Sequence, residues 1–165
     1  MSEKQNSEIN VYTDGSLIKN KKNKTVKCGY SVYFPNKEYK SIGRKFVHEP
    51  ITNNRAELYA ILKAIILCNK VNEERKRLKQ KEIKKITIYS DSEYSVKSLT
   101  IWYKNWIKLG KKYLNKDIID LIMDAIKTVD FKVKLKHIRA HTGKQDEHSV
   151  ANDRADELAK IGANL

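Results

Sequence analysis

Twice in this chain a short strand-like run ends on an aspartate set among small neighbours. Ile9-Asn10-Val11-Tyr12-Thr13 leads into Asp14-Gly15-Ser16, and Lys85-Ile86-Thr87-Ile88-Tyr89 leads into Ser90-Asp91-Ser92. Alternation of apolar and polar residues marks half-buried strands, and the Gly and Ser that follow read as turns. In open α/β sheets the functional crevice lies at the carboxyl ends of the strands. Small neighbours leave both carboxylates reachable. If the two strands are adjacent and parallel, the carboxylates face each other. Taken singly, each aspartate reads equally well as a turn residue.

The remaining pattern supplies a scaffold for such a sheet. Cys28–Phe34 and Tyr39–Val47 read as strands joined at Pro35-Asn36-Lys37, a hairpin pattern. Thr52 or Asn53 can cap a helix in which Leu58, Ile61, Leu62, Ile65 and Ile66 recur at helical spacing beside Ala56, Ala60 and Ala64. That helix is expected to run on through the charged stretch from Asn72, solvated on all sides. Further helices are expected at Ser92–Leu99, Trp102–Leu109 (stopped by Gly110), Asn115–Lys127 and Ala151–Ala163, with a strand at Phe131–Ile138. The order β-β-β-α-β-α-α-α-β-α implies a mixed sheet with helices on its faces.

Charge points to the partner. The 165 residues hold 34 Lys and Arg against 20 Asp and Glu, a formal charge of +14. Nucleic acid is the usual polyanion for such a chain. No long apolar run and no terminal basic amphipathic helix favours a membrane. Cys28 and Cys68 form no CxxC pair, which excludes a zinc ribbon, a redox motif and a disulfide scaffold, and both read as buried small hydrophobes. The polar N-terminus carries no secretory or organellar pattern, so a cytoplasmic or nuclear location is the expectation.

Two more acids fall where they can reach the same crevice: Glu57, one turn into the first long helix, and Asp156 in the last, between Ala155 and Ala159. Alone, Glu57 reads as a partner of the helix dipole. Together, four acids in one pocket are costly, because two carboxylates about 4 Å apart repel by about 4 kcal/mol at an effective dielectric near 20. Divalent cations remove that cost. Mg²⁺ takes oxygen ligands and favours sites shared with phosphates, whereas Zn²⁺ prefers His and Cys.

Five segments, in order, resemble type 1 ribonuclease H: Tyr12-Thr13-Asp14-Gly15-Ser16, Thr52-Asn53-Asn54-Arg55-Ala56-Glu57-Leu58, Tyr89-Ser90-Asp91-Ser92, Ala140-His141-Thr142-Gly143 and Asn152-Asp153-Arg154-Ala155-Asp156-Glu157-Leu158-Ala159. The likeness extends from about Ile9 to Ala163. It implies an α/β, RNase H-like fold: a five-stranded mixed sheet, its first three strands antiparallel, flanked by helices. It implies one catalytic domain over residues 1–165, with no separate hybrid-binding domain, acting as a monomer. The implied reaction is endonucleolytic hydrolysis of the RNA strand of an RNA–DNA hybrid, with two Mg²⁺ ions (or Mn²⁺), giving 5′-phosphate and 3′-hydroxyl ends. By motif match, Asp14, Glu57, Asp91 and Asp156 are the metal ligands and His141 the mobile histidine that assists proton transfer or product release. Asn53 and Asn54 match residues that read the RNA 2′-hydroxyl, a group that donates and accepts. Thr52 and Asn115 match holders of a DNA phosphate, and Ser16 lies beside Asp14 in the same binding surface. Trp102, Trp106, Lys108, Lys111 and Lys112 fall in the family's basic protrusion, although the two tryptophans serve a core equally well. His137 reads as structural, and His48 and His148 as exposed.

The chain departs from the family pattern at four places. Lysine-rich Lys19–Lys27, with five lysines and no acid, replaces a Gly- and Pro-rich loop. Pro50 stands where a basic phosphate contact is common. The protrusion is short, and the loop between His141 and Asp156 is long. The run 72–85 reads as an insertion that could serve as a substitute nucleic-acid grip. Two other readings stay open: a basic binding module of the same fold with impaired catalysis, and a resolvase or integrase core. Substrate choice among hybrid, duplex DNA and duplex RNA separates them.

Overall fold

The computed structural model describes residues 5–165. Five strands, β1 (Glu8–Lys19), β2 (Val26–Tyr33), β3 (Ile42–Lys45), β4 (Lys85–Ser90) and β5 (Lys132–His137), form one sheet in the order β3-β2-β1-β4-β5. β1, β2 and β3 are antiparallel, while β4 runs parallel to β1 and β5 parallel to β4. The helices are α1 (Asn53–Arg77), α2 (Glu93–Lys97), α3 (Tyr103–Lys108), α4 (Lys116–Thr128) and α5 (Glu147–Ala163), with a π turn at Ser98–Trp102 joining α2 to α3. No described helix is long and apolar enough to cross a membrane.

Alternation divides the sheet into two faces. Ile9, Val11, Ile86 and Ile88 point to α1 and α4, where they bury against Leu58, Ile61, Ile65, Ile119 and Ile122. Tyr12 and Tyr89 point the other way and pack with Ala151 and Ala155 of α5. That helix lies backbone-close to the sheet, since a Cβ on Gly29 would sit 2.2 Å from the Ala163 nitrogen and one on Gly43 would sit 2.2 Å from the Leu158 oxygen. Both cysteines are free and buried, as expected.

Three boundaries move by several residues, and one surface expected to be solvated is buried. β1 does not turn at Gly15 but pairs onward with β2 as far as Lys19, opposite Val26. The lysine-rich segment is therefore a hairpin tip, closed by a bond from the Asn20 amide to the Thr25 carbonyl (2.9 Å). β3 is shorter than Tyr39–Val47 because its ladder with β2 covers only Ile42–Lys45, with one further bond from the Phe46 amide to the Cys28 carbonyl (2.9 Å). α5 begins at Glu147, earlier than Ala151, because the Asp146 carboxylate accepts the Ser149 amide (3.3 Å). The charged extension of α1 is not solvated all round: Asn72 and Arg75 are buried. Asn72 Oδ1 accepts the Ile83 amide (2.7 Å), and Arg75 donates to the Asn6 carbonyl (2.7 Å), so the helix end is fastened to the chain around β1 and β4.

Candidate active site

The parallel register sets Thr13 opposite Ser90 and hence Asp14 beside Asp91 at the end of β4. α1 brings the third acid. Thr52 caps it, its hydroxyl accepting the Arg55 amide (3.1 Å), and the helix start lies directly on β1. Only glycine fits at position 15, where a Cβ would stand 2.8 Å from the Glu57 nitrogen. That approach delivers the Glu57 carboxylate to Asp14 and Asp91. One ligand oxygen from each of the three lies within 4.8 Å of the others.

Asp14 and Glu57 are buried, Asp91 is half-buried, and all three lack a counter-charge. Asp14 is 2% exposed and Glu57 3%. Among the described residues no cation forms an ion pair with Asp14, Glu57 or Asp91, and Glu57 Oε2 has no hydrogen-bond partner. Burial raises the Asp14 carboxyl to about 8, reinforced by the charge of Asp91, against the pull of hydrogen bonds from Glu57 and the Gly15 amide. Burial and then Asp14 push Glu57 well above the usual range. Asp91 also rises through burial, moderated by the Asn152 amide and by His141. No Asn152 Nδ2 bond is formed within bonding distance, so we read its pull as that of a nearby dipole. A pocket of oxygen donors that resist joint ionisation suits a hard divalent cation, which would replace the protons.

Asp156 stands at the border of this group. It is half-buried on α5, bonded to Lys160 (3.0 Å), and close enough for its charge to raise Asp14 and Asp91. His141 is exposed at φ 50°, within electrostatic reach of Asp91. Ser16 lies two residues along β1 from Asp14, half-buried. Asn53 and Asn54 are exposed in the first turn of α1, while the Thr52 hydroxyl is occupied by its cap. Asn115, in the left-handed region, donates to the Tyr94 hydroxyl (2.9 Å) and accepts from Arg55 (3.4 Å). Trp106 stacks flat on Tyr113 at 4.9 Å and packs on the core. Trp102 is half-buried between Tyr94 and Trp106, and Lys108, Lys111 and Lys112 are exposed beyond them.

Three contributors escape the sequence reading. Arg55 is buried and grips Asp117 with both terminal nitrogens (2.8 and 2.9 Å) and the Glu49 carbonyl (3.1 Å), tying the start of α1 to that of α4. A cation in the first turn opposes the helix dipole, and that mismatch was the available signal. Asn152 is buried facing Asp91. His148, exposed as expected, nonetheless bonds the Tyr12 hydroxyl through Nδ1 (2.5 Å) and packs at a tilt against Tyr89 (4.6 Å between centroids), pinning the start of α5 to the sheet. Only the sheet register places those tyrosines side by side, so nothing in sequence announces the contact. His137 Nε2 lies 3.2 Å from the Asp91 carbonyl, a structural contact.

A mixed sheet in this order, with acids converging from β1, β4 and α1, defines the RNase H-like class of α/β proteins. The RNase H family model matches residues 6–164, and the chain belongs to that family. A ribonuclease H of Campylobacter jejuni is 34% identical over 157 residues, covering 94% of this chain and 90% of the relative. A ribonuclease H of Schizosaccharomyces pombe is 34% identical over 160 residues, covering 93% of this chain and 52% of the relative. This chain thus spans about half the length of several curated relatives it matches. In fold, it superposes on the solution structure of the PFV RNase H domain with a TM-score of 0.70 at 20% identity, covering 94% of each chain.

Proposed function

We propose that this protein is a divalent-metal-dependent endonuclease that hydrolyses the RNA strand of RNA–DNA hybrids, leaving 5′-phosphate and 3′-hydroxyl ends. One observation carries the reading: three carboxylates, two of them buried, converge from β1, α1 and the end of β4, unneutralised by any described cation, in a chain of charge +14. Asp14, Glu57 and Asp91 would hold Mg²⁺ or Mn²⁺, two ions in all, with Asp156 as the fourth ligand once it leaves Lys160. Such ions polarise a phosphodiester and lower the pKa of bound water.

The chain's own groups do the rest. His141, exposed beside Asp91, is placed to pass a proton between the site and solvent. Asn53 and Asn54 present amides that donate to and accept from a 2′-hydroxyl, the group that separates RNA from DNA. Ser16, Thr52 and Asn115 border the same surface, and Trp102, Trp106, Lys108, Lys111 and Lys112 form the adjoining grip. Arg55 fixes the angle between the helix starts that carry these groups. A monomer with one catalytic domain suffices for the reaction.

The test is cleavage of one 5′-labelled RNA presented alone, in duplex RNA and in a hybrid, each with Mg²⁺ or EDTA. Cutting confined to the hybrid and to metal is the expected result. Salt-sensitive binding without cutting would replace the enzyme by a binding module of the same fold.

A further inference from the structure

α5 packs over β1, β2 and β3 and reaches β4 at Tyr89, which leaves the same face of β5 and the Lys85 end of β4 without a covering helix. Strand alternation puts Lys132, Lys134 and Lys136 of β5 on that face, since Val133 and Leu135 point into the α1–α4 core. Register sets Lys85 of β4 opposite Lys132. All three β5 lysines are exposed, and none of the four forms an ion pair among the described residues. They crowd one another enough that Lys136, Lys85 and Lys132 depress the Lys134 ammonium. The bordering acids are Glu8, opposite Lys85 on β1, and Glu147 at the start of α5.

The row has a direction. Its upper end, Lys136, pairs with Tyr89, against which the exposed His148 ring packs at a tilt. The next residue, His137, contacts the Asp91 backbone. From there the lysines recede about 13 Å down β5, at about 6.6 Å per alternate residue. An uncompensated cationic track ending at an exposed ring is the arrangement that holds single-stranded nucleic acid, phosphates on the charges and a base on the ring. Lysines on an edge strand also discourage edge pairing, but these project from the face, and Lys85 lies on an inner strand.

We infer that the open face of β5 and the Lys85 end of β4 is a second nucleic-acid surface, which holds the unpaired strand leaving a hybrid seated at the carboxylates. The inference rests on the hybrid-nuclease reading for its place in turnover, but not for the binding itself. A flexible single strand can turn from the site onto this face, whereas a stiff duplex cannot follow both surfaces.

The test compares the wild type with the triple variant Lys132→Gln, Lys134→Gln, Lys136→Gln, and with a charge-matched control at exposed lysines away from both surfaces, Lys40→Gln, Lys70→Gln, Lys127→Gln. Binding in EDTA is measured across a salt series for a blunt hybrid, a hybrid with a single-stranded overhang, and the single strand alone. The ladder variant is expected to lose about two units of the log–log salt slope for the single strand and the overhang substrate, at about 0.7 per lost contact. The blunt hybrid and the control variant should be unchanged. Its melting temperature should stay level or rise, because repulsion is relieved. Equal loss in both triple variants would reduce the effect to net charge and overturn the surface. So would an unchanged slope accompanied by self-association, which would mark edge protection, or by loss of binding to phosphatidylserine vesicles alone. If the slope falls but the wild type cuts no hybrid, the surface stands and the nuclease reading fails.

Discussion

Two kinds of buried charge lie within a few residues of each other on α1. Arg55 is satisfied completely in character: its guanidinium meets a carboxylate and backbone carbonyls, and in return its hydrogen bonds hold Asp117 down at about 2. Glu57, two residues on, faces two more carboxylates and keeps an oxygen without a partner. Arg75, farther along the same helix, repeats the first pattern with carbonyls from Asn6 and Lys81. Buried charge that is matched by its neighbours fastens elements together. Buried like charge that is left unmatched destabilises the empty protein and is retained where a ligand completes it.

The contrast is broken most sharply at Asp14. Asp14→Asn should reduce metal-dependent hybrid cleavage at least about 10³-fold, since several kcal/mol of barrier reduction depend on the metal. The same variant should raise the melting temperature of the metal-free protein, by about 2–4 °C per kcal/mol of repulsion relieved. A variant that loses activity and also melts lower would place Asp14 among the fastening charges. The opposite sign is expected at Arg55. Arg55→Met leaves the His48 and Glu49 carbonyls without their donor, while the largely exposed Asp117 turns to solvent, and should cost about 1–3 kcal/mol in urea unfolding. A loss under about 0.5 kcal/mol would show that the helix starts are held by packing instead.

The pH dependence separates the two kinds again. Below about 4, folded and unfolded chains both hold the Asp14 proton. Between there and about 8, the folded value of Asp14, the native state binds more protons than the unfolded one, so stability falls as pH rises. The metal-free melting temperature should therefore decline across this window, and stabilisation by Mg²⁺ should grow, because binding displaces the protons. Asp117 acts in the other direction: its contribution is present above the ordinary carboxylate pKa and is lost as pH falls toward about 2, a small effect for a largely exposed group. The smallest expected change is at the far end of α1. Asn72→Ala leaves the buried Ile83 amide unpaired and should cost about 1–2 kcal/mol without altering cleavage, about 20–25 Å from the carboxylates along the helix. A cleavage defect there would instead support the 72–85 run as a nucleic-acid grip.

Much was readable from the chain alone, for physical reasons that differ by element. Alternation in Ile9–Thr13 and Lys85–Tyr89 reveals strands because one face must be buried, and the apolar spacing from Leu58 to Ile66 reveals a helix for the same reason. The four acids were legible because they fall in motifs whose spacing resembles one family: Asp14 and Asp91 close strand-like runs, Glu57 stands near the start of a helix, and Asp156 lies between the alanines of the last one. What the sequence could not show depends on partners distant in the chain. β1 runs past Asp14 because β2 continues beside it, and α5 starts early because Asp146 reaches Ser149. Arg55, Arg75 and Asn72 look solvent-facing until carbonyls and amides from other segments arrive. The covered tyrosines under His148 and the uncovered lysines of β5 were decided together, by where α5 comes to rest on the sheet. Local pattern determines which residues face inward. Only tertiary packing decides which inward charge finds a mate, and which is left open for a ligand.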